Sequence, residues 1–387
     1  MSSRFDFRAA ERFSDVSGRD NAAVAESRVI QIDPVADPRW DRFVSGHPLA
    51  GAYHLGAWAE VLATAYRFKP AYLALEGADR ELRGALPLMH TRGVVTGSRM
   101  RSLPVVPPAG PLANAQEDVA ALLRAGCRVT DERGSIWTLH AREGGHERLC
   151  RELRPVPKHP TWVLELPADI DEMRRGWKKT SNNLFRSLAK SDRAGVSVRE
   201  GTAEADLRAF YRLYLQTMRR RTTLPRLYRQ LAKDRELLGP SGAFKLFVAE
   251  HDGDIVAGGI YHSFRGTLDL LYNGSDDSRL DVRPNHALYW YAIEWAAENG
   301  HGELDLGHGR IDSSLARFKA QWGAAEVPEY RYDYLPGTDA DGGTDREPGS
   351  RPRVLEGRGR QGPVERVWPR LPLAATRAAA TIAYRYL

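Results

Sequence analysis

The chain has 387 residues, 42% of them hydrophobic, with nine Trp and a formal charge of +6 from 56 Lys and Arg against 50 Asp and Glu. That length exceeds one typical core and predicts two or three domains, while the positive balance admits phosphate-bearing partners without choosing among nucleic acid, nucleotide and membrane. Cys127 and Cys150 match no metal-ligand spacing and are too few for a disulfide framework, no run approaches 18 apolar residues, and the N-terminus lacks a signal peptide's apolar stretch, so a cytoplasmic protein is expected.

Residues 1–28 are polar and without periodicity and read as a flexible arm. Next come a helical pattern from Leu55 to Tyr66, an apolar run from Ala71 to Leu75, a polar turn at Gly77 to Arg80 and a second run from Gly84 to His90. The same grammar returns about 175 residues later. A helix from Leu207 to Met218 precedes Phe244 to Glu250, the turn Asp252-Gly253-Asp254, and Ile255 to Ser263. Such a repeat implies two similar α/β units in tandem.

Between the copies, one helix is expected from about Asp169 to Arg193. At 100° per residue Arg175, Lys179, Arg186, Lys190 and Arg193 form one stripe with no acid in it, and Lys178 adjoins it. Ile170, Met173, Trp177, Leu184 and Leu188 gather opposite, on the face a helix packs. A basic stripe on an anchored helix suits a polyphosphate or nucleic-acid backbone; the plainer reading is a solvated face. Arg219, Arg220 and Arg221 end the next helix, with Arg226 and Arg229 following. They exceed what a helix dipole needs and suit a diphosphate or a tRNA backbone.

Further on stand Leu268 to Leu271, Tyr272-Asn-Gly-Ser275, Arg283-Pro-Asn-His286 and an apolar helix from Ala287 to Ala297. No glycine occurs between Arg279 and Leu288, so a backbone cradle for a pyrophosphate is not supported. Asn285 is either a ligand or a helix cap. Asp305 ends the strand Glu303 to Leu306, where Gly307 and Gly309 permit a sharp turn. His301 and His308 lack a third ligand at metal spacing, so no metal is expected. Phe318-Lys319 stands out because only eight of the 56 basic residues are Lys. A compact ammonium suits a point-charge role. Residues 336–363 are rich in Gly, Asp, Pro and Arg and read as a linker. The remainder, within 364–387, holds an amphipathic helix from Pro372 that either docks on the protein or contacts an anionic membrane at its inner face, with Arg377 and Arg385 on one flank.

Taken together, Tyr272-Asn-Gly-Ser, Pro284-Asn, Glu294-Trp-Ala, Gly300, Asp305-Leu-Gly307 and Phe318-Lys-x-x-Trp-Gly323 resemble the second domain of the FemABX aminoacyltransferases and their GNAT-fold relatives. Trp177-Lys-Lys with Asn182-Asn183 resembles the start of that domain, and Trp58, Gly84-Ala-Leu-Pro-Leu88 and Ser102-Leu-Pro104 resemble the first. The resemblance covers about residues 30–334. It implies two tandem GNAT-like domains, 29–160 and 161–335, built of mixed sheets flanked by helices. It implies transfer of an amino acid from aminoacyl-tRNA, as co-substrate, to a small-molecule or peptide amine, with no bound cofactor. In the family the acceptor is often a peptidoglycan precursor; relatives of this shorter layout also occur in natural-product gene clusters. Lys319 is then taken to contact the 3′ end of the donor and stabilise the oxyanion, with Phe318 shaping the donor pocket. Asp305 takes or relays the acceptor's proton, or is structural. Arg220, Arg226, Tyr272 and Asn285 bind substrate, and Arg175, Lys178, Lys179, Arg186, Lys190 and Arg193 meet the tRNA phosphates. The rivals are an acyl-CoA N-acyltransferase and a non-catalytic binder of a phosphorylated polymer at the membrane; the oligomeric state is open.

Overall fold

The computed structural model describes residues 27–94, 96–167, 169–180, 182–337 and 367–386, with backbone only at 178–180, 182, 385 and 386. Most of the expected arm and linker, and the side chains of Lys178, Lys179 and Arg385, lie outside the described residues.

Three sheets organise these residues. The first is antiparallel, in the order Arg28–Gln31, Leu73–Glu76, Leu82–Leu86, Leu112–Ala113. The expected single run from Gly84 to His90 is instead two strands. Pro87 has no N–H to give a ladder, and the chain changes sheets there: Leu82–Leu86 stays in the first and Met89–Gly93 enters the second. The second sheet has six strands, Lys69–Pro70, Met89–Gly93, Gly97–Arg101, Ile136–Ala141, Tyr330–Tyr334 and Arg154–Val156.

Tyr330–Tyr334 is expected to belong with residues 161–335, yet it pairs with Ile136–Ala141 and Arg154–Val156. Its alternation explains the placement, because Tyr332 and Tyr334 bury their rings in a core with Trp137 and Leu139. A unit ending at 335 therefore returns a strand to the first half.

The third sheet runs Ser197–Glu200, Phe244–His251, Asp254–Phe264, Thr267–Ser275, Glu303–His308, Thr161–Glu165, Ala325–Val327. All its pairs are antiparallel except Thr267–Ser275 with Glu303–His308. Glu204–Arg220 packs on this sheet through Leu207, Phe210, Tyr214 and Met218, and Asp206 accepts from Ala203 N (3.0 Å) to cap its start. The approach is close enough that a Cβ at Gly274 would stand 2.5 Å from Tyr214 N, so only glycine fits there.

The helix expected from Asp169 to Arg193 is described as Ile170–Thr180 and Asn182–Arg193, on either side of Ser181, which lies outside the described residues. Its apolar face is buried as expected. Trp177, Leu184 and Leu188 are buried, and Trp177 meets Trp290 and Trp322 edge-on at 5.4 and 5.3 Å.

One apolar core spans both halves, joining Trp40, Trp58 and Leu62 to Phe210, Leu231 and Ile260. The C-terminal helix, Leu373–Tyr386, contributes Ala380 and Tyr384 to the same core. It docks along Glu204–Arg220 by its Thr376, Ala380, Tyr384 row, while Arg377 is exposed. Among the described residues no helix is long and apolar enough to cross a membrane.

Candidate active site

The two parallel strands carry the same triplet, Leu268-Asp-Leu270 and Leu304-Asp-Leu306. They pair only from Thr267 to Asp269 against Glu303 to Asp305. Beyond those aspartates they separate. Leu271 is bulged out of register between Leu270 and Tyr272, and Gly307 adopts φ +76, a left-handed backbone that glycine tolerates.

A cavity of about 480 Å³ opens where the strands part. Asp269 and Tyr272 line it on one strand, Asp305 and His308 on the other, and Arg101 and His140 reach it from the first half. At its floor Arg142 crosses between the halves, donating to Asp269 Oδ1 (3.1 Å) and Asp305 Oδ2 (2.7 Å). Asp305 Oδ1 also accepts from Thr161 Oγ1 (2.5 Å) and Gly307 N (2.7 Å), so both its oxygens are engaged. Asp269 has less support. Burial, together with the nearby Asp305 charge and against the pull of Arg142, pushes its carboxyl up to about 6. At the rim, Glu329 lies 2.6 Å from Lys158 and 3.0 Å from His308; burial pushes its carboxyl up, but those two partners win and hold it low.

Lys319 sits on the helix Ser314–Gln321, whose Ser313 hydroxyl accepts from Ala316 N (3.0 Å) as the cap. Its side chain is only 2% exposed. The ammonium donates to Gly307 O (2.6 Å) and His308 O (2.8 Å), supplying donors to carbonyls of the strand that has left its parallel partner. Two of its three N–H bonds are thus used, and among the described residues no carboxylate lies within ion-pair distance. Burial lowers its pKa to about 8, with Asp305 opposing the shift.

Two smaller hollows continue along Thr267–Ser275. One of about 340 Å³ shares Arg226 and Tyr272 with the large cavity and adds Tyr384 of the C-terminal helix. The next, about 350 Å³, shares Arg221 and Asn273 with that one and is lined by Asn285, His286 and Phe318. The Phe318 ring meets those of His286 and Tyr289 edge-on.

The fold thus brings Asp305, Tyr272 and Arg226 to one cavity and Phe318 and Asn285 to another, with Lys319 buried beside the strand that parts them. Arg220 is not among the residues lining these hollows; it forms an ion pair with Asp277. The basic stripe is also not free of acid, because Arg175 lies 3.2 Å from Asp169. Glu172, three residues before Arg175, also falls at the angle of Lys190, so helical geometry itself puts an acid in the stripe. Arg186, Lys190 and Arg193 are exposed and line none of the three hollows. Sequence reasoning missed Asp269, Arg142, Arg101 and Tyr384. Only Asp269 left a signal, the repeated Leu-Asp-Leu triplet, in which a carboxylate interrupts an apolar strand.

Residues 178–320 match the acetyltransferase (GNAT) domain family. Over 183 residues the chain is 28% identical to the UDP-N-acetylmuramoylpentapeptide-lysine N(6)-alanyltransferase of Weissella viridescens, a match covering 45% of this chain and 54% of that protein. The chain therefore spans about half the length of that curated relative. Its fold is similar to that of FemX, with a TM-score of 0.64 at 16% identity over 80% of this chain and 97% of that one. It is also similar to L-PGS from Bacillus licheniformis, with a TM-score of 0.50 at 14% identity over 80% and 95%. Residues 178–320 thus match a GNAT domain, and the fold as a whole, mixed sheets flanked by helices, is similar to that of FemX.

Proposed function

We propose that this protein transfers an amino acid from aminoacyl-tRNA to an amine acceptor, forming an amide. The observation that carries the reading is the buried ammonium of Lys319 beside the point where the two strands part, between a carboxylate-floored cavity and an aromatic hollow. Similarity to the Weissella viridescens relative, an alanyltransferase named for a lysine N6, supports this class of reaction.

In this reading the acceptor occupies the large cavity, held by Arg226 and Tyr272, and the donor's 3′ end enters the hollow at Phe318 and Asn285. The acceptor arrives as an ammonium. Asp269 takes one proton, the freed nitrogen attacks the ester carbonyl, and a C–N bond forms. The C–O ester bond then breaks, and the amine's second proton leaves with the ribose oxygen as its hydroxyl. Asp269 returns its proton to solvent. Lys319 directs its third N–H and its charge at the tetrahedral oxyanion, an interaction stronger in the transition state than before it and worth about 3 to 4 kcal/mol. Asp305, bonded on both oxygens, positions Arg142 rather than accepting the proton.

Arg221 is the better candidate than Arg220 for contact with an anionic substrate, since it lines both smaller hollows. Arg175, Lys178, Lys179, Arg186, Lys190 and Arg193 attract the tRNA backbone, a role that needs exposure and not a fixed partner. We read 29–160 and 161–335 as two GNAT-like units, with Tyr330–Tyr334 as a strand returned to the first. A tRNA donor implies work in the cytoplasm, and any membrane contact would use the exposed Arg377 and Ile382.

The test is incubation with labelled aminoacyl-tRNA or labelled acetyl-CoA and a panel of amines, with Lys319→Met alongside. Amide formation from aminoacyl-tRNA is expected. Transfer from acetyl-CoA alone would replace this reading by an acyl-CoA N-acyltransferase, and binding of acceptors without transfer from either donor by a non-catalytic role.

A further inference from the structure

Three residues with hydroxyl side chains line the large cavity, Tyr53, Thr161 and Tyr272. Two of these hydroxyls are occupied: Thr161 donates to Asp305 Oδ1 (2.5 Å), and Tyr272 accepts from Gln230 Nε2 (2.9 Å). The third, on Tyr53, has no hydrogen-bond partner among the described residues, although the residue is only 1% exposed. Its ring is fixed from several sides. Tyr53 lies in the short helical turn Ala52–His54, which Trp40 Nε1 holds by donating to His54 O (2.7 Å), and the ring meets Trp58 at 5.7 Å and His262 at 5.5 Å. A ring packed in this way has little freedom to carry its oxygen to another partner. Burial, and after it the charge of Asp269, raises the phenol's pKa well above its usual value, so the group stays a neutral hydroxyl. Asp269 acts on it more strongly than Arg142 or Asp305 does, in keeping with an oxygen directed at the floor of the cavity.

A phenylalanine would fill the same space, so packing alone does not call for the oxygen. Burying a hydroxyl without a partner destabilises a fold, and one kept at a cavity wall is suited to a polar group that arrives from outside. The floor has one other open acceptor. Both Asp305 oxygens and Asp269 Oδ1 are engaged, which leaves Asp269 Oδ2 without a hydrogen bond among the described residues. We propose that Tyr53 is an acceptor-binding residue whose hydroxyl oxygen accepts a hydrogen bond from the attacking nitrogen. An ammonium brings donors only, and here it meets an acceptor from each half of the molecule, Tyr53 from the first and Asp269 from the second. When Asp269 Oδ2 takes one proton, Tyr53 still holds another N–H and so fixes the direction of the lone pair that attacks the ester carbonyl. The proposal rests on the reading of the large cavity as the acceptor's place.

The experiment is isothermal titration of the full chain, without aminoacyl-tRNA, with Nα-acetyl-lysine amide and, separately, with its Nε-trimethyl form, which keeps the charge but has no N–H on that nitrogen. Tyr53→Phe is expected to bind the free amine roughly 10-fold more weakly, the loss of a hydrogen bond to a charged group, and to bind the trimethyl form as the wild type does. Its melting temperature should equal or exceed that of the wild type, because the deleted hydroxyl has no partner. Tyr334→Phe gives the opposite case. That hydroxyl donates to Asp131 (2.9 Å), so the melting temperature should fall while amine binding is unchanged. In transfer assays Tyr53→Phe should lower kcat/KM for the amine by at least the same factor and leave KM for aminoacyl-tRNA as it was. The proposal is overturned by a wild type that does not bind the free amine, by unchanged affinity in Tyr53→Phe, by an equal loss for the trimethyl form, or by a lowered melting temperature, which would make the hydroxyl structural. A wild type that binds the amine through Tyr53 yet transfers nothing from aminoacyl-tRNA overturns the transfer reading instead and leaves the amine site standing.

Discussion

The charges at the floor of the large cavity and those on the helices Ile170–Thr180 and Asn182–Arg193 are held in opposite ways. Asp269, Asp305 and Lys319 are few and buried, and the partly exposed Arg142 reaches the two carboxylates from the other half of the molecule. Arg175, Arg186, Lys190 and Arg193 are exposed on one surface, and Arg175 already has an acid beside it. In a low-dielectric site a single charge is worth kilocalories, while an exposed one is screened within about 10 Å at 0.1 M salt. The proposed function assigns chemistry to the first group and attraction to the second.

Replacing one charge in each region tests that division. Lys319→Met should lower kcat by about 10²- to 10³-fold with little change in KM, as loss of an oxyanion donor does; steady-state transfer kinetics measure it, and a loss below threefold would move the ammonium out of the chemistry. Asp269→Asn should cost about 10²-fold in kcat, within the range for a positioned base. The pH profile carries the sharper form of both predictions. Asp269 must be charged to accept a proton, and its pKa is pushed up to about 6, so activity falls as pH drops through 6. Lys319 must be charged to meet the oxyanion, and its pKa is pulled down to about 8, so activity falls as pH rises through 8. Asp269→Asn should erase the acidic limb and leave the alkaline one.

Within the buried group, Asp305→Ala should behave differently from Asp269→Asn. It strips Arg142, Thr161 and Gly307 of a shared acceptor and should lower stability by about 3 kcal/mol, read by denaturant unfolding. Tyr384→Phe removes one neutral partner of Arg226 and should raise the acceptor's KM only about 3- to 10-fold, with kcat unchanged. The smallest effect is expected outside. Lys190→Ala should raise the KM for aminoacyl-tRNA about twofold at 50 mM salt and have no effect at 300 mM, and a salt-independent change would mean a specific contact instead.

Local pattern makes much of this molecule legible in its sequence. The hairpin Phe244–His251 to Asp254–Phe264 follows from apolar runs about Asp252-Gly253, where Gly253 takes φ +82. The packed face of Trp177, Leu184 and Leu188 follows from helical spacing. Phe318 and Lys319 can be singled out from residue usage, but their environments cannot. Adjacent on one helix, they diverge: Phe318 lines a hollow while Lys319 is buried against two carbonyls.

The sequence by itself determined where apolar faces, turns and scarce residues fall, because those depend on neighbours within a few positions. Only the tertiary structure decided which charges meet. The parallel register sets Asp269 beside Asp305, 36 residues on, and Arg142 joins them from the other half. The docked C-terminal helix brings Tyr384 to Arg226. A charged side chain's worth depends on its burial and its partner, and both are set by strand register and packing between segments far apart in the chain.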